Sequence, residues 1–172
     1  MILNSLRMYR HKYSRKYGEL LIVADGGGNW RKDVFPNYKF KRAGDREESK
    51  FDWNEIYRIT GMVLDELRDN FPYKVMRVYG CEADDVIATV ALTTTEFGQG
   101  EPVMIISADK DFLQLQVHDN IDQYSPNTKK LLKSKHPVKE LQEMILTGDR
   151  IDGVPNVLSG DNVFAEGIRQ IP

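Results

Sequence analysis

The sequence predicts an α/β fold, a mostly parallel central sheet flanked by helices, and three observations carry that prediction. Short apolar runs with strand character, ELLIVAD (19–25), YKVMRVY (73–79) and PVMIISADKD (102–111), recur along the chain. Stretches with helical period separate them, as the crossovers between parallel strands require. Each run also leads directly into acids, and in open α/β sheets ligands bind beyond the carboxyl ends of the strands.

Taken in order, residues 2 to about 17 read as a helix, and 19–25 as a buried strand that stops at Asp25 and the breaker GGG. From 26 to about 51 the chain is polar and rich in glycine and charge, with RAGDREESK within it. It reads as a loop or mobile segment, longer than compact domains carry without a functional reason. Trp53, Ile56, Tyr57, Val63, Leu64, Leu67 and Phe71 keep a helical spacing, with Asp52 as cap and Pro72 as stop. After the strand at 73–79, Ala83, Val86, Ile87, Val90 and Ala91 mark the apolar stripe of another helix. NIDQYSPNTKKLLK predicts a hairpin around Ser125, Pro126 and Asn127, and 137–146 a helix before the loop TGDRIDGVPN.

Composition narrows the chemistry. The 172 residues suffice for one sizeable core, and 29% charged with 41% hydrophobic residues is the balance of a soluble globular protein. No apolar run is long enough to span a bilayer and the N-terminus lacks the features of a signal peptide, so a cytoplasmic, membrane-free protein is expected. The lone Cys81 excludes an internal disulfide, and with three histidines it cannot build a conventional zinc site. Any metal must be held by oxygen.

Net charge is −2, but the charges are unevenly placed: Arg7, Arg10, Lys12, Arg15 and Lys16 stand without an acid among them, and Arg31, Lys32, Lys39, Lys41 and Arg42 follow with only Asp33. These read equally as a solvated basic face or as contacts for phosphate. The acids gather at strand ends: Asp25 after the first run, Glu82, Asp84 and Asp85 after the second, Asp109 and Asp111 after the third, with Asp149 and Asp152 in a later loop. Eight carboxylates in one crevice would need divalent cations, and all-oxygen ligation suits Mg²⁺ or Mn²⁺. Two such ions about 3.5–4 Å apart are a recurring solution for phosphodiester cleavage. Without these eight, 18 acids would face 24 Lys and Arg, a basic surface around an acidic centre.

Blander roles stand beside these. The helix dipole favours acids in a first turn, Asp109 and Asp111 can cap the helix after them, and Asp149 and Asp152 can shape a turn. Tyr9, Tyr13 and Tyr17 read as a packing stripe, and Trp53 as core.

Taken together, RKDVFPNYKFKR, DWNEIYRITGMVLDEL, YGCEADDVIATVA, MIISADKDFLQL, QYSPNTKK and TGDRIDGVPNV resemble the 5′-nuclease superfamily. That group includes flap endonucleases, the 5′-nuclease domain of bacterial DNA polymerase I and phage ribonuclease H. The resemblance implies a PIN-like nuclease domain over 1–147, with an arch at about 26–51, and the start of an incomplete helix-turn-helix region over 148–172 that grips the duplex backbone. It implies that Asp25, Glu82, Asp84, Asp85, Asp109, Asp111, Asp149 and Asp152 are metal acids, and that Lys39 and Arg42 steer the scissile phosphate. Departures accompany it: the chain begins after the family's first strand and its acid, and the last motif has Gly153 for the usual Asn and Asn156 for the usual Gly. A fragment of a longer phage enzyme is therefore expected.

The implied function is a Mg²⁺-dependent, structure-selective 5′ nuclease with two ions, Mn²⁺ substituting. It would act as a monomer on DNA and RNA–DNA hybrids with 5′ ends or flaps, in replication, alongside a single-stranded-DNA-binding protein. Two alternatives stay open, a nucleic-acid-binding remnant with impaired catalysis and a PIN-like ribonuclease.

Overall fold

The computed structural model describes residues 1–172, with Ala43 described by its backbone alone. The chain divides into two compact units, one of residues 1–28 and 72–138, the other of residues 29–71 and 139–172.

In the first unit, α1 (Ile2–Tyr17) ends at Gly18 and leads into β1 (Leu21–Val23), which pairs parallel to β2 (Lys74–Met76) with Ile22 opposite Val75. Helix α5 (Ala83–Glu96) crosses over to β3 (Val103–Ile106), β3 pairs parallel to β4 (Ile121–Ser125), and a 3-10 helix (Lys110–Val117) connects the two. The hairpin read from NIDQYSPNTKKLLK is β4 turning into antiparallel β5 (Lys130–Leu132), Ser125 opposite Lys130. Ile105, Phe112, Leu115 and Ile121 close around Ala91 of α5 to form the core. The tyrosine stripe of α1 does pack: Tyr9 and Tyr13 meet the buried Tyr124 ring at centroid distances of 6.1 and 5.7 Å.

One expectation needs refining. In place of one continuous central sheet there are two, β1–β2 and β3–β4–β5. A groove of about 540 Å³ separates β1 from β3, and consecutive residues of both strands line it. Adjacent residues of a strand point to opposite faces, so the groove meets the two strands edge-on. Among the described residues, no strand pairs with those two edges.

The second unit holds α2 (Arg31–Val34), α3 (Lys41–Glu47), α4 (Trp53–Asn70) and most of α6 (Pro137–Thr147). Asp52 caps α4, its side chain accepting the Glu55 N–H at 3.0 Å. The segment at 26–51, read from sequence as a loop, contains α2 and α3. Helices of four and seven residues are too short to show a period and carry no side-chain cap to announce them. Residues 148–172 run through turns and one isolated bridge between Asp149 and Val154. Within them Gly153 takes φ 76°, a left-handed conformation open to glycine and, less readily, asparagine.

Two predictions follow from packing and charge in the first unit. A Cβ on Gly26 would sit 1.8 Å from the Val78 carbonyl oxygen and 2.8 Å from the Tyr79 nitrogen, both rigid backbone. Gly26→Ala therefore lowers stability by about 3 kcal/mol or more, read as the shift in urea midpoint. The second concerns Asp122, which accepts from Lys133 at 2.7 Å, Tyr17 at 2.7 Å and Lys16 at 3.2 Å. Partial burial alone would raise its carboxyl; the hydrogen bonds from Lys133, Tyr17 and Lys16 outweigh that and hold it down at about 2, against an ordinary 3.8. A depressed carboxyl stabilises the fold above its unfolded value, and that contribution disappears as pH falls from about 4 to 2. Solvent screening reduces it to on the order of 1 kcal/mol, and Asp122→Asn removes this increment of acid sensitivity from the pH–stability curve.

Candidate active site

Two strand-end turns of the first unit are laced together by backbone hydrogen bonds. The Gly26 N–H donates to the Cys81 carbonyl at 3.1 Å, and the Gly80 N–H to the Gly27 carbonyl at 2.7 Å. Arg77 Nε donates to the Asp25 carbonyl at 3.2 Å. This lacing brings the Asp25 side chain to the N-terminus of α5, where its Oδ1 accepts the Ala83 N–H at 2.8 Å. Asp25 from β1 thus joins the Glu82–Asp85 turn that follows β2.

That turn explains part of its own acidity. Glu82 and Asp85 form a reciprocal capping box, Glu82 accepting the Asp85 N–H while Asp85 Oδ2 accepts the Glu82 N–H at 2.9 Å. Amide groups at a helix start satisfy acids and the helix dipole favours them, so the capping reading and the ligand reading fall on the same residues. All of Glu82, Asp84 and Asp85 are half-buried, whereas Asp25 faces solvent.

The third set lies just beyond β3. Asp109 Oδ1 accepts the Asp111 N–H at 3.0 Å, so Asp109 caps the 3-10 helix as the blander sequence reading allowed. The Asp109 N–H in turn donates to Ser107 Oγ at 3.1 Å. Gln123, wholly buried in β4, donates its side-chain amide to the carbonyls of Ser107 and Asp109. Sequence reasoning passed over Gln123, which reads simply as a polar position in IDQYS.

Asp149 and Asp152 belong to the second unit. Asp149 Oδ1 accepts the N–H groups of Ile151 and Asp152 at 2.7 and 3.1 Å, which is the turn-shaping role. Asp152 accepts from Arg42 at 2.9 Å and from the Tyr38 hydroxyl at 3.0 Å, and Lys39 Nζ lies 3.5 Å away. Lys39 adopts φ 53°, and its N–H donates to the Asp152 carbonyl at 2.7 Å, so side chain and backbone both join this pair of loops. The two basic residues expected to steer phosphate are therefore grouped around one of the expected metal acids, with a net local charge of one positive unit. Tyr38 had no sequence signal, since a tyrosine in NYKFK is indistinguishable from a packing residue. Also in this unit, a recess of about 540 Å³ is lined by Lys41, Arg150, Arg169 and Asn156.

The donor types would suit a hard divalent cation: six carboxylates in the first unit, all oxygen donors, with no histidine among them. As they stand, no three Asp, Glu, His or Cys residues among those described form a group close enough to hold a metal ion. Several of the carboxylates engage backbone N–H groups instead.

Comparison with known proteins agrees with the geometry. Residues 1–149 match the family model of the 5'-3' exonuclease N-terminal resolvase-like domain. Ribonuclease H of Enterobacteria phage T4 is 37% identical over 162 residues, covering 91% of this chain and 52% of that protein. Flap endonuclease Xni of Shewanella oneidensis is 32% identical over 166 residues, covering 86% and 56%. The chain thus spans about half the length of these relatives. A crystal structure of the bacteriophage T5 flap endonuclease with DNA and metal ions superposes with a TM-score of 0.70 at 17% identity, covering 95% of this chain and 65% of that one. A T5 5'-exonuclease structure with bound zinc gives 0.69 at 19% identity, covering 95% and 66%. By fold the chain is a 5′-nuclease α/β protein of the PIN-like kind, and it belongs to the 5'-3' exonuclease family through that family's N-terminal resolvase-like domain.

Proposed function

We propose that this chain acts as a Mg²⁺-dependent, structure-selective 5′ nuclease that removes RNA primers or 5′ flaps during phage DNA replication, in the cytoplasm of the infected bacterium. The observation that carries the reading is the meeting of Asp25 with the acidic N-terminal turn of α5, at the end of two parallel strands, in a chain of this family. The names of the relatives point the same way: one is a phage ribonuclease H, one a flap endonuclease, and a structural neighbour is complexed with DNA and metal ions.

In this reading Asp25, Glu82, Asp84, Asp85, Asp109 and Asp111 would hold Mg²⁺ ions or their Mn²⁺ substitutes, while Asp149 and Asp152 keep their turn-shaping and basic-residue contacts within the second unit. When bound, divalent cations supply charge neutralisation on the scissile phosphate and acidify the attacking water. The chain's own residues do the rest. Backbone N–H groups aim the carboxylates, and Lys39 and Arg42 take the phosphate backbone of a 5′-ended or flapped DNA or RNA–DNA hybrid. Asp152 keeps both cations on one side of their loops until substrate competes for them. The recess with Lys41, Arg150 and Arg169 extends the same positive character for binding duplex.

A second reading rests on one specific observation: the acids do not stand as a closed metal group. In that reading the chain binds branched nucleic acid through its basic residues and turns over little. Both readings leave replication partners, such as a single-stranded-DNA-binding protein, to surfaces outside the acidic turns.

Two measurements test this. On a 5′-labelled flap with an RNA-containing 5′ end, the chain cleaves with Mg²⁺ or Mn²⁺, EDTA stops cleavage, and Asp109→Asn lowers the rate by at least about 100-fold. Binding without cleavage at any metal concentration favours the second reading. Separately, Arg42→Ala weakens DNA binding and lowers the slope of log K against log salt by about 1, the signature of one lost phosphate contact. An unchanged slope removes Arg42 from the substrate path.

A further inference from the structure

We propose that Gln123 is a positioning residue that fixes Asp109 and Asp111 for a divalent cation, an inference that rests on the nuclease reading above. Gln123 is fully buried, 0% exposed, on β4 opposite Ile105, while Asp109 and Asp111 both face solvent. Its side chain crosses from the interior to the turn beyond β3, where its amide makes two hydrogen bonds, both of 3.0 Å or less, to the carbonyls of Ser107 and Asp109.

The chemistry leaves one orientation. Both targets are acceptors, so only the NH₂ group can face them; turning the amide over would set its oxygen against two carbonyl oxygens. The arrangement is asymmetric in a telling way. Gln123 Oε1 is buried without a hydrogen-bond partner, a state that destabilises the fold. A buried amide that leaves its own acceptor unmatched, while both donors are matched to one turn, serves that turn more than the interior.

The turn it serves is a chain of linked bonds. Ser107 N–H is anchored to the Tyr124 carbonyl at 3.1 Å, Ser107 Oγ accepts the Asp109 N–H, and Asp109 Oδ1 accepts the Asp111 N–H. Gln114 then donates to the Asp111 carbonyl at 2.8 Å. Gln123 grips the two carbonyls on either side of Ala108 and so sets the direction in which the following acids leave the sheet. Without it, those carbonyls turn outward to find water and carry the Asp109 backbone with them. Few other side chains fit the position. Asn is one methylene too short, Met matches the length without donors, and Lys would bury a charge.

The test uses Gln123→Met, which keeps length and volume, beside a control in the same strand: Ile121→Val or Ile121→Ala, whichever matches its unfolding midpoint. Two readouts are taken on the full 172-residue chain. Hydrogen exchange of the Asp109 and Asp111 amides needs no metal; it speeds by about tenfold or more in Gln123→Met and stays unchanged in the control. Binding of Mn²⁺ alone, followed by its electron paramagnetic resonance signal, weakens by about 10- to 100-fold in Gln123→Met and not in the control. Equal exchange in variant and control overturns the proposal, as does a Gln123→Met chain that fails to fold, because the role is then general stability. Altered exchange with unaltered Mn²⁺ affinity also overturns it. A wild-type chain that binds no Mn²⁺ counts against the metal-dependent reading itself, and against this proposal with it, and the exchange result then reports only the mechanics of the turn.

Discussion

Crowded carboxylates repel, and the hold that backbone N–H groups keep on them is the constraint on which this structure turns. Like charges repel more strongly the less water separates them. Four of the strand-end acids each direct an oxygen to an amide: Asp25 to Ala83, Glu82 to Asp85, Asp85 to Glu82 and Asp109 to Asp111. Hydrogen bonds from an amide to a charged acceptor are among the stronger ones, on the order of 1.5–3 kcal/mol. These bonds also act directionally. Acids that solvent alone stabilised would splay apart; these stay at their turns.

The same bonds tie elements together. Because Asp25 belongs to the β1 turn and Ala83 to α5, their hydrogen bond works with the Gly26–Cys81 and Gly80–Gly27 backbone bonds to hold two turns together. The small residue at 26 is a condition of that approach: the Val78 carbonyl lies where a side chain would begin. In the second unit Asp152 plays the comparable part with opposite charges, drawing Lys39, Arg42 and Tyr38 to one loop.

Much of this was legible in the chain, and what was not has physical causes. The stripe from Ala83 to Ala91 and the cap at Asp52 gave α5 and α4 because both helices are long enough to show a period. Helices α2 and α3 lie below that length and were hidden in a polar stretch. The acids were visible at strand ends, but not which of them engage an amide, since a capping acid and a ligating acid are the same residue type in the same place. Gln123 was invisible because its importance lies in what it reaches across the sheet, and a single polar residue in a strand carries no pattern. The interruption between β1 and β3 was equally unreadable, because an apolar run announces a strand and says nothing of whether both its edges find partners.

That interruption bears on how the acids can be used. An edge with no strand beside it leaves N–H and C=O groups unmatched by a neighbouring strand. Asp25 sits at the end of β1 and Asp109 just beyond β3, on the two sides of the groove. Their bonds to β-sheet neighbours and to α5 hold each locally, but among the described residues no strand couples one side to the other. A cation that drew ligands from both would have to reach across the groove as well as compete with the amides for oxygen. Such competition favours a small, doubly charged ion: an amide presents a partial positive charge, whereas Mg²⁺ presents two full charges to the same oxygen. Amide-held carboxylates are thus compatible with the metal-binding role proposed for them. They are aimed and kept from collapsing on one another, yet remain exchangeable when a stronger partner arrives.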